Sequence, residues 1–290
     1  MSASIKKTIS ISDKGTTLST MKLKTSGKQI VEHSYDNGDL YTGKWVNGKA
    51  NGYGKAWFGE GCIYEGEFVD GKPSGHGKGW THGTVYEGHF VDGAANGMGT
   101  CKHGDGDFYT GEFKDGMRHG YGKCVYATGD VYDGVWEKNA KCGKGTCIFK
   151  DGKKYEGNWK DGFKHGYGVD TDEDGMYEYE GMFKKGKRDG KGLCKCFTKD
   201  GVMNYSYEGE WKDDLPHGYG EEEEAVPNRN VTDLYKVYCE NGKIVGDCVL
   251  ISSEGEKMKG NKYELKKLLR AKRRRDDESS GHDAKKPKTA

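Results

Sequence analysis

A chain of 290 residues with 48 glycines, 4 prolines and 33% apolar residues is not collagen, because glycine exceeds its usual share of about 7% without the every-third-residue period or the proline of a triple helix. A mean hydropathy of −0.95 leaves too little apolar material for a deep core, so burial is expected to be thin and repeated. The net charge of +1 balances unlike segments, +4 over residues 1–34 and +6 over residues 262–290, which leaves −9 between them.

Residues 1–34 are rich in Ser, Thr and Lys, with one alternating stretch from Ile5 to Ile11. They read as a disordered or weakly ordered segment, with room for one strand that joins the sheet begun after residue 34. No cationic start leads into an apolar h-region, and no stretch approaches about 18 apolar residues, so neither secretion nor a membrane span is expected. Nine cysteines, an odd number without a C-x-x-C pair, read as reduced thiols of an intracellular protein.

From residue 35 a single unit repeats. Tyr41, Tyr64, Tyr86, Tyr109, Tyr132, Tyr155, Tyr179 and Tyr207 are spaced by 23, 22, 23, 23, 23, 24 and 28 residues, the mark of a repeat architecture. Two positions on stands glycine, and four positions on stands a ring: Trp45, Phe68, Phe90, Phe113, Trp136, Trp159, Phe183 and Trp211. Tyr, Gly and ring therefore share one face of a strand. A turn such as Asn47-Gly48 or Asp161-Gly162 comes next, and then Gly-x-Gly, from Gly52 and Gly54 through Gly120 and Gly122 to Gly218 and Gly220. This describes a β-hairpin whose large rings lie over backbone that carries no Cβ. A second turn, Gly-x-x-Tyr, leads into the next hairpin, so consecutive hairpins can pair into a continuous antiparallel sheet.

The pattern Tyr-x-Gly-x-Trp/Phe-x-x-Gly-x-x-x-Gly-x-Gly over residues 41 to about 220 resembles the MORN repeat, with eight copies in phase. Asn139 and Asp214 replace turn glycines, the seventh unit carries an insertion from Lys199 to Ser206, and a ninth, degenerate unit runs from Tyr235 through Gly242 to Gly246, with Cys239 at the ring position. Looser packing is expected in the later units. The fold class expected is all-β: an elongated, curved, single-layer antiparallel sheet of successive β-hairpins, with a short C-terminal helix and disordered tails. The resemblance implies a surface for protein contacts, dimerisation or membrane apposition. Such repeats also accompany SET-type lysine methyltransferases and phosphatidylinositol phosphate kinases, and residues 1–34 and 250–290 are too short and polar to form either.

The repeat domain is expected over 35–249, a capping segment with a short helix over 250–275, and a disordered basic tail over 276–290. Asn261 with Glu264 resembles a capping box, and Tyr263, Leu265, Leu268 and Leu269 fall at helical spacing, which suits a helix that covers the exposed edge of the last repeat. Lys272, Arg273, Arg274 and Arg275, then a polar spacer, then Lys285, Lys286 and Lys288 resemble a nuclear localisation signal read by an import receptor. A solvated basic tail is the competing reading. Nucleic-acid binding is disfavoured, because the tail has no interleaved rings and the body is acidic.

Cys101, Cys124, Cys147 and Cys194 stand fifteen positions after the repeat tyrosine and read as a column of small packed residues. Equivalent positions in successive repeats lie roughly 9.5 Å apart, too far to converge on one metal ion, so neither metal nor cofactor is expected. His119, His165 and His217 precede Gly-x-Gly elements without a nucleophile or an orienting partner, so no catalytic residues are assigned. Nine positions after the tyrosine stand Arg118, Lys141, Lys164 and Arg188, a candidate basic ladder. Opposed to it run Glu65, Glu87, Asp133, Glu156, Glu180 and Glu208. The ladder is either a solvated face or a site for an acidic partner or phosphoinositide headgroups. The function expected is a non-enzymatic scaffold or adaptor with a protein partner, nuclear or nucleo-cytoplasmic. The alternative is a peripheral membrane protein that binds acidic phospholipids through the ladder.

Overall fold

The structure, a computed structural model, describes the backbone of residues 21–25, 28–227 and 231–283 and the side chains of 30–227 and 231–275. The stretch from Ile5 to Ile11 and the cations Lys285, Lys286 and Lys288 lie outside the described residues. The chain divides into two compact units, one running through Asp105 and including Phe113–Gly116, the other made of Gly106–Glu112 and the chain from Met117 onward.

In the first unit, β1 (Met21–Thr25), β2 (Lys28–Ser34), β3 (Leu40–Val46), β4 (Lys49–Phe58), β5 (Cys62–Val69), β6 (Lys72–Thr81), β7 (Thr84–Val91) and β8 (Ala94–Lys102) each pair antiparallel with the next. The added N-terminal strands are thus Met21–Thr25 and Lys28–Ser34. The second unit takes in most of β9 (Phe108–Lys114), then β10 (Met117–Val125), β11 (Val131–Glu137), β12 (Ala140–Ile148), β13 (Lys154–Lys160) and β14 (Phe163–Thr171). It continues with β15 (Tyr177–Lys184), β16 (Lys187–Phe197), β17 (Met203–Lys212), β18 (Leu215–Ala225) and β19 (Thr232–Glu240). From β10 to β19 every strand again pairs antiparallel with its successor. Antiparallel sheet built of successive hairpins is the fold class that the repeat pattern called for.

The hairpin turns carry the φ > 0 pairs that a tight two-residue loop requires, as at Asn47 (φ 51°) with Gly48 (φ 78°) and Asp161 (φ 52°) with Gly162 (φ 84°). From the second repeat on, the turn also ties to the preceding repeat: Gly71 N–H donates to Ala50 O at 2.9 Å and Gly162 N–H to Lys141 O at 3.0 Å. Asn139 and Asp214, which replace turn glycines, take the same conformation at φ 69° and 71°. Instead of loosening the turn, each offers its side-chain oxygen to a backbone N–H, that of Arg118 or Arg188, at 2.9 Å. The insertion near residue 200 lengthens a hairpin, so that β16 reaches 11 residues and β17 reaches 10.

The two glycines of Gly-x-Gly serve different needs. Gly143 has φ 55° and lies in the bulge where the β11–β12 register shifts between Gly134 and Val135. Gly145 is extended, and a Cβ there would stand 2.4 Å from the Tyr132 hydroxyl. The repeat tyrosine lies flat over this glycine, and its O–H donates to the carbonyl three residues on, at 2.8 Å for Tyr41 to Lys44 and 3.0 Å for Tyr132 to Val135. That bond satisfies the carbonyl at the bulge, so a buried polar ring end is not left unpaired.

In each unit the core is a column of rings on one face. All eight repeat tyrosines and the rings Phe68, Phe90, Phe113, Trp136, Trp159, Phe183 and Trp211 are buried, while Trp45 is partly covered. Each of the first seven tyrosines meets the ring of the following repeat edge to face, at 5.0 Å for Tyr41–Phe68 and 5.2 Å for Tyr132–Trp159, a geometry worth roughly 0.5–1.5 kcal/mol per pair beyond area burial.

Beyond the repeats, β19 buries Tyr235, Val237 and Cys239. It pairs in turn with β20 (Lys243–Ile244) and β21 (Cys248–Ile251), and β21 pairs with β22 (Lys257–Gly260). A 22-residue helix, α1 (Lys262–Asp283), comes last. It is capped by Asn261, whose side-chain oxygen accepts the Tyr263 N–H at 2.9 Å. It runs past residue 275, where the sequence suggested that order would end. Leu265 and Leu269 are buried, whereas Tyr263 and Leu268, expected on the same apolar stripe, are exposed. Lys262 and Lys266 lie over the Tyr235 ring, so α1 crosses the ring face at the last strands, and β21 and β22 extend the sheet past β19.

Candidate binding surface

The alternation of a strand assigns each repeat position to one of two faces, and the faces differ in chemistry. On the ring face, the four cations proposed as a ladder sit over rings. The Arg118 guanidinium lies 4.3 Å from the Trp136 centroid and 5.9 Å from Tyr109. Lys141 lies 4.8 Å from both Tyr132 and Trp159, Lys164 lies 4.8 Å from Tyr155 and 5.7 Å from Phe183, and Arg188 lies 4.3 Å from Trp211 and 5.5 Å from Tyr179. Each cation therefore bridges the tyrosine of its own repeat and the ring of the next.

Their polar atoms are also engaged. Lys164 donates to Asp170 at 2.7 Å, Arg188 donates to the Asp214 backbone carbonyl at 2.7 Å, and Arg118 donates to the Asn139 carbonyl at 3.3 Å. Burial pulls the Lys141 ammonium below its ordinary pKa. The four cations expected as a ladder are thus half-buried and pack over rings on the covered face. The cysteine column lies beside it. Cys101, Cys124, Cys147 and Cys194 are buried, all nine cysteines are free thiols, and burial raises the Cys194 thiol to about 11.

The tail cations also divide. Arg273 grips Asp233 through two hydrogen bonds, at 2.7 and 2.9 Å, and reaches Glu254 at 3.1 Å. Lys272 pairs with Glu256. Arg274 and Arg275 are exposed. The four residues read together as one exposed basic cluster are thus split, with Arg273 largely buried in a structural contact.

The opposite face carries the acids. Glu180 and Glu208 are joined there by the middle residues of Gly-x-Gly, to which the sequence reading gave no role. Tyr121, Tyr167 and Tyr219 are exposed, the last at 75%, and Lys144 and Lys191 alternate with them. In the second unit these rows bound a groove of about 980 Å³. Its floor is the backbone of Gly181, Gly192, Gly209 and Gly220, and its walls include Tyr167, Tyr219, Tyr238, Lys191 and Lys236. Tyr167 also borders a second groove of about 580 Å³ that reaches Tyr121, so the two are contiguous along this face.

Five carboxylates, Glu180, Glu208, Glu210, Glu221 and Asp247, line the larger groove against two ammonium groups, a balance of −3. Lys236 is taken by Glu221 at 2.6 Å, and Tyr167 donates its hydroxyl proton to Glu180. Tyr219 and Tyr238 meet edge to face at 4.9 Å. The signal for this row was present in the sequence: an aromatic residue between two glycines whose neighbours on the strand face the core must itself face outward.

Among the described residues, no group of three or more His, Cys, Asp or Glu side chains could hold a metal ion, and no helix is long and apolar enough to cross a membrane. No curated protein matches the sequence. Among solved structures, a catalytically inactive virginiamycin B lyase from Staphylococcus aureus with quinupristin aligns over 84% of this chain and 89% of that one. It does so at 11% identity with a TM-score of 0.14, a superposition too weak to bear on function. A family model for the MORN repeat matches residues 41–63, 64–78, 86–108, 109–131, 132–154, 155–177, 179–200 and 207–223. With more than half of its length matched in eight copies, the chain belongs to the MORN repeat family.

Proposed function

We propose that this chain is a non-enzymatic scaffold that holds a protein partner in the groove opposite the ring column of its second unit. The observation that carries this reading is the contrast between the faces: one spends its rings and cations on internal packing, while the other presents tyrosines and carboxylates to solvent over a glycine floor. Exposed tyrosines are costly to leave in water and supply rigid contact area at interfaces. Among the described residues, loops of a few residues leave little room for an enclosed cleft in which an active site could exclude water. The phospholipid reading rests on the ladder cations, and their seating over rings favours the tyrosine face as the partner site.

Affinity capture with the full chain tests the proposal. A variant combining Tyr167→Ser and Tyr219→Ser should lose the partner that the parent chain and a Lys123→Ala control retain. Retention of the same partner by the double variant would refute the groove.

A further inference from the structure

The groove carries enough charge to say what kind of segment it takes. Its walls hold five carboxylates and two ammonium groups, and one of those ammonium groups is already neutralised by Glu221. Glu208, Glu210 and Asp247 are exposed, and none of the three has an ion-pair partner among the described residues. Glu208 stands across from Leu193 and Glu210 across from Lys191 on paired strands, so the two carboxylates flank Gly209 on the same face. The Tyr219–Tyr238 ring pair lies on the next two strands. Carboxylates beside exposed aromatic faces make a site for a cation on an apolar stem: the head meets the carboxylate and the methylenes cross the ring.

We infer that the groove between Tyr167 and Tyr238 binds an extended, cationic peptide segment whose Arg or Lys side chains are taken by Glu208, Glu210 and Asp247 and pack on Tyr219 and Tyr238. This rests on the groove being the partner site proposed above. An acidic segment is repelled by the same walls. The trough crosses the strands and is open along its length, so it suits a chain laid along it better than a compact ligand.

Fluorescence anisotropy of a labelled peptide alternating Arg and Ser, titrated with the full chain, tests the inference, with the Glu/Ser counterpart as the anionic probe. The Arg peptide should bind and the Glu peptide should not, and affinity should fall as salt rises from about 50 to about 300 mM. Glu208→Gln with Glu210→Gln should weaken binding about tenfold, and Tyr219→Ala about fivefold. Asp70→Asn with Asp92→Asn, which removes the same charge from turns of the first unit, should leave binding unchanged.

Equal losses in the two charge variants would mean general attraction to an acidic body and would overturn the site. Binding of the Glu peptide in place of the Arg peptide would overturn the occupant's chemistry. If the Arg peptide fails to bind while the Tyr167→Ser, Tyr219→Ser variant still loses its captured partner, the groove stands and the cationic occupant falls. If both fail, the groove itself falls.

Discussion

The two units build the same ring column with different materials. In the first, the residues opposite three rings are small or rigid: Ala50 faces Trp45, Pro73 faces Phe68 and Ala95 faces Phe90. In the second, Lys141 faces Trp136, Lys164 faces Trp159 and Arg188 faces Phe183, while Pro216 faces Trp211 in the last repeat. The small residues let a ring rest on backbone. The cations instead span two rings of successive repeats and add hydrogen bonds to turn residues, as Arg188 does to Asp214. The glycine arithmetic is common to both units, and repeat-to-repeat stapling by cations belongs to the second. A column of cations in a repeat sequence can therefore be a packing device, each contact worth about 0.5–2 kcal/mol depending on desolvation.

The largest effect should be shared by both units. Gly145→Ala places a Cβ 2.4 Å from the Tyr132 hydroxyl, and Gly54→Ala places one 2.4 Å from that of Tyr41. Each should cost about 3–5 kcal/mol, since ring and opposing strand cannot both move away. Thermal or denaturant unfolding that shows either variant at parent stability would break the common-core half of the comparison.

Next comes the difference between the units. Arg188→Met removes the bridge over Tyr179 and Trp211 and the guanidinium's hydrogen bonds to Asp214, for an expected loss of about 2 kcal/mol. Pro73→Ala at the corresponding place in the first unit should cost less than about 1 kcal/mol. Similar losses in the two variants would mean that the cations do not staple the repeats.

A smaller effect is expected at α1. Arg273→Ala should cost about 1–2 kcal/mol, because a helix that can detach locally limits the loss to its own docking energy. Hydrogen exchange should show faster exchange in α1 with protection of β10 to β17 unchanged. The same contact gives the helix an acid sensitivity. Hydrogen bonds from Arg273 hold the Glu254 carboxyl down at about 2. For Glu224, burial alone would raise the pKa, but Lys262 and Lys266 bring it below the ordinary value. Both groups have depressed folded-state pKa values, so their stabilisation is present above the usual carboxylate pKa near 4.3 and is lost as pH falls toward 2. Release of α1 before the repeats unfold is the expected outcome, read by hydrogen exchange across that range.

The smallest effect on stability, within about 0.5 kcal/mol, should come from Arg274→Ala with Arg275→Ala, since both side chains are exposed. This variant tests address separately from fold. Fused to an inert reporter, residues 262–290 should drive nuclear accumulation that the double variant weakens. An evenly distributed parent fusion would remove the nuclear assignment.

Much of the repeat unit was legible because its physics is local. A tyrosine, a glycine two positions on and a ring four positions on share a strand face by alternation alone, and Asn-Gly or Asp-Gly at a fixed offset specifies the turn. The cations nine positions after the tyrosine were legible as a column but not in role. Whether an Arg opposite a ring points into water or across that ring depends on the neighbouring repeat, which lies a full period of about 23 residues away. The tyrosines between glycines were equally visible, yet a groove exists only where strands from several repeats bring them beside Glu208, Glu210 and Asp247.

Periodicity, glycine placement and turn chemistry thus settled the hairpin, its register and its buried face from the sequence by itself, because each follows from backbone geometry within one repeat. Only the tertiary structure decided three things: that Arg118, Lys141, Lys164 and Arg188 are spent on packing, that Arg273 is locked onto Asp233, and that the acidic face forms a groove. Each of these depends on which distant side chain or backbone arrives to satisfy a charge or to wall a trough, and no local propensity encodes that.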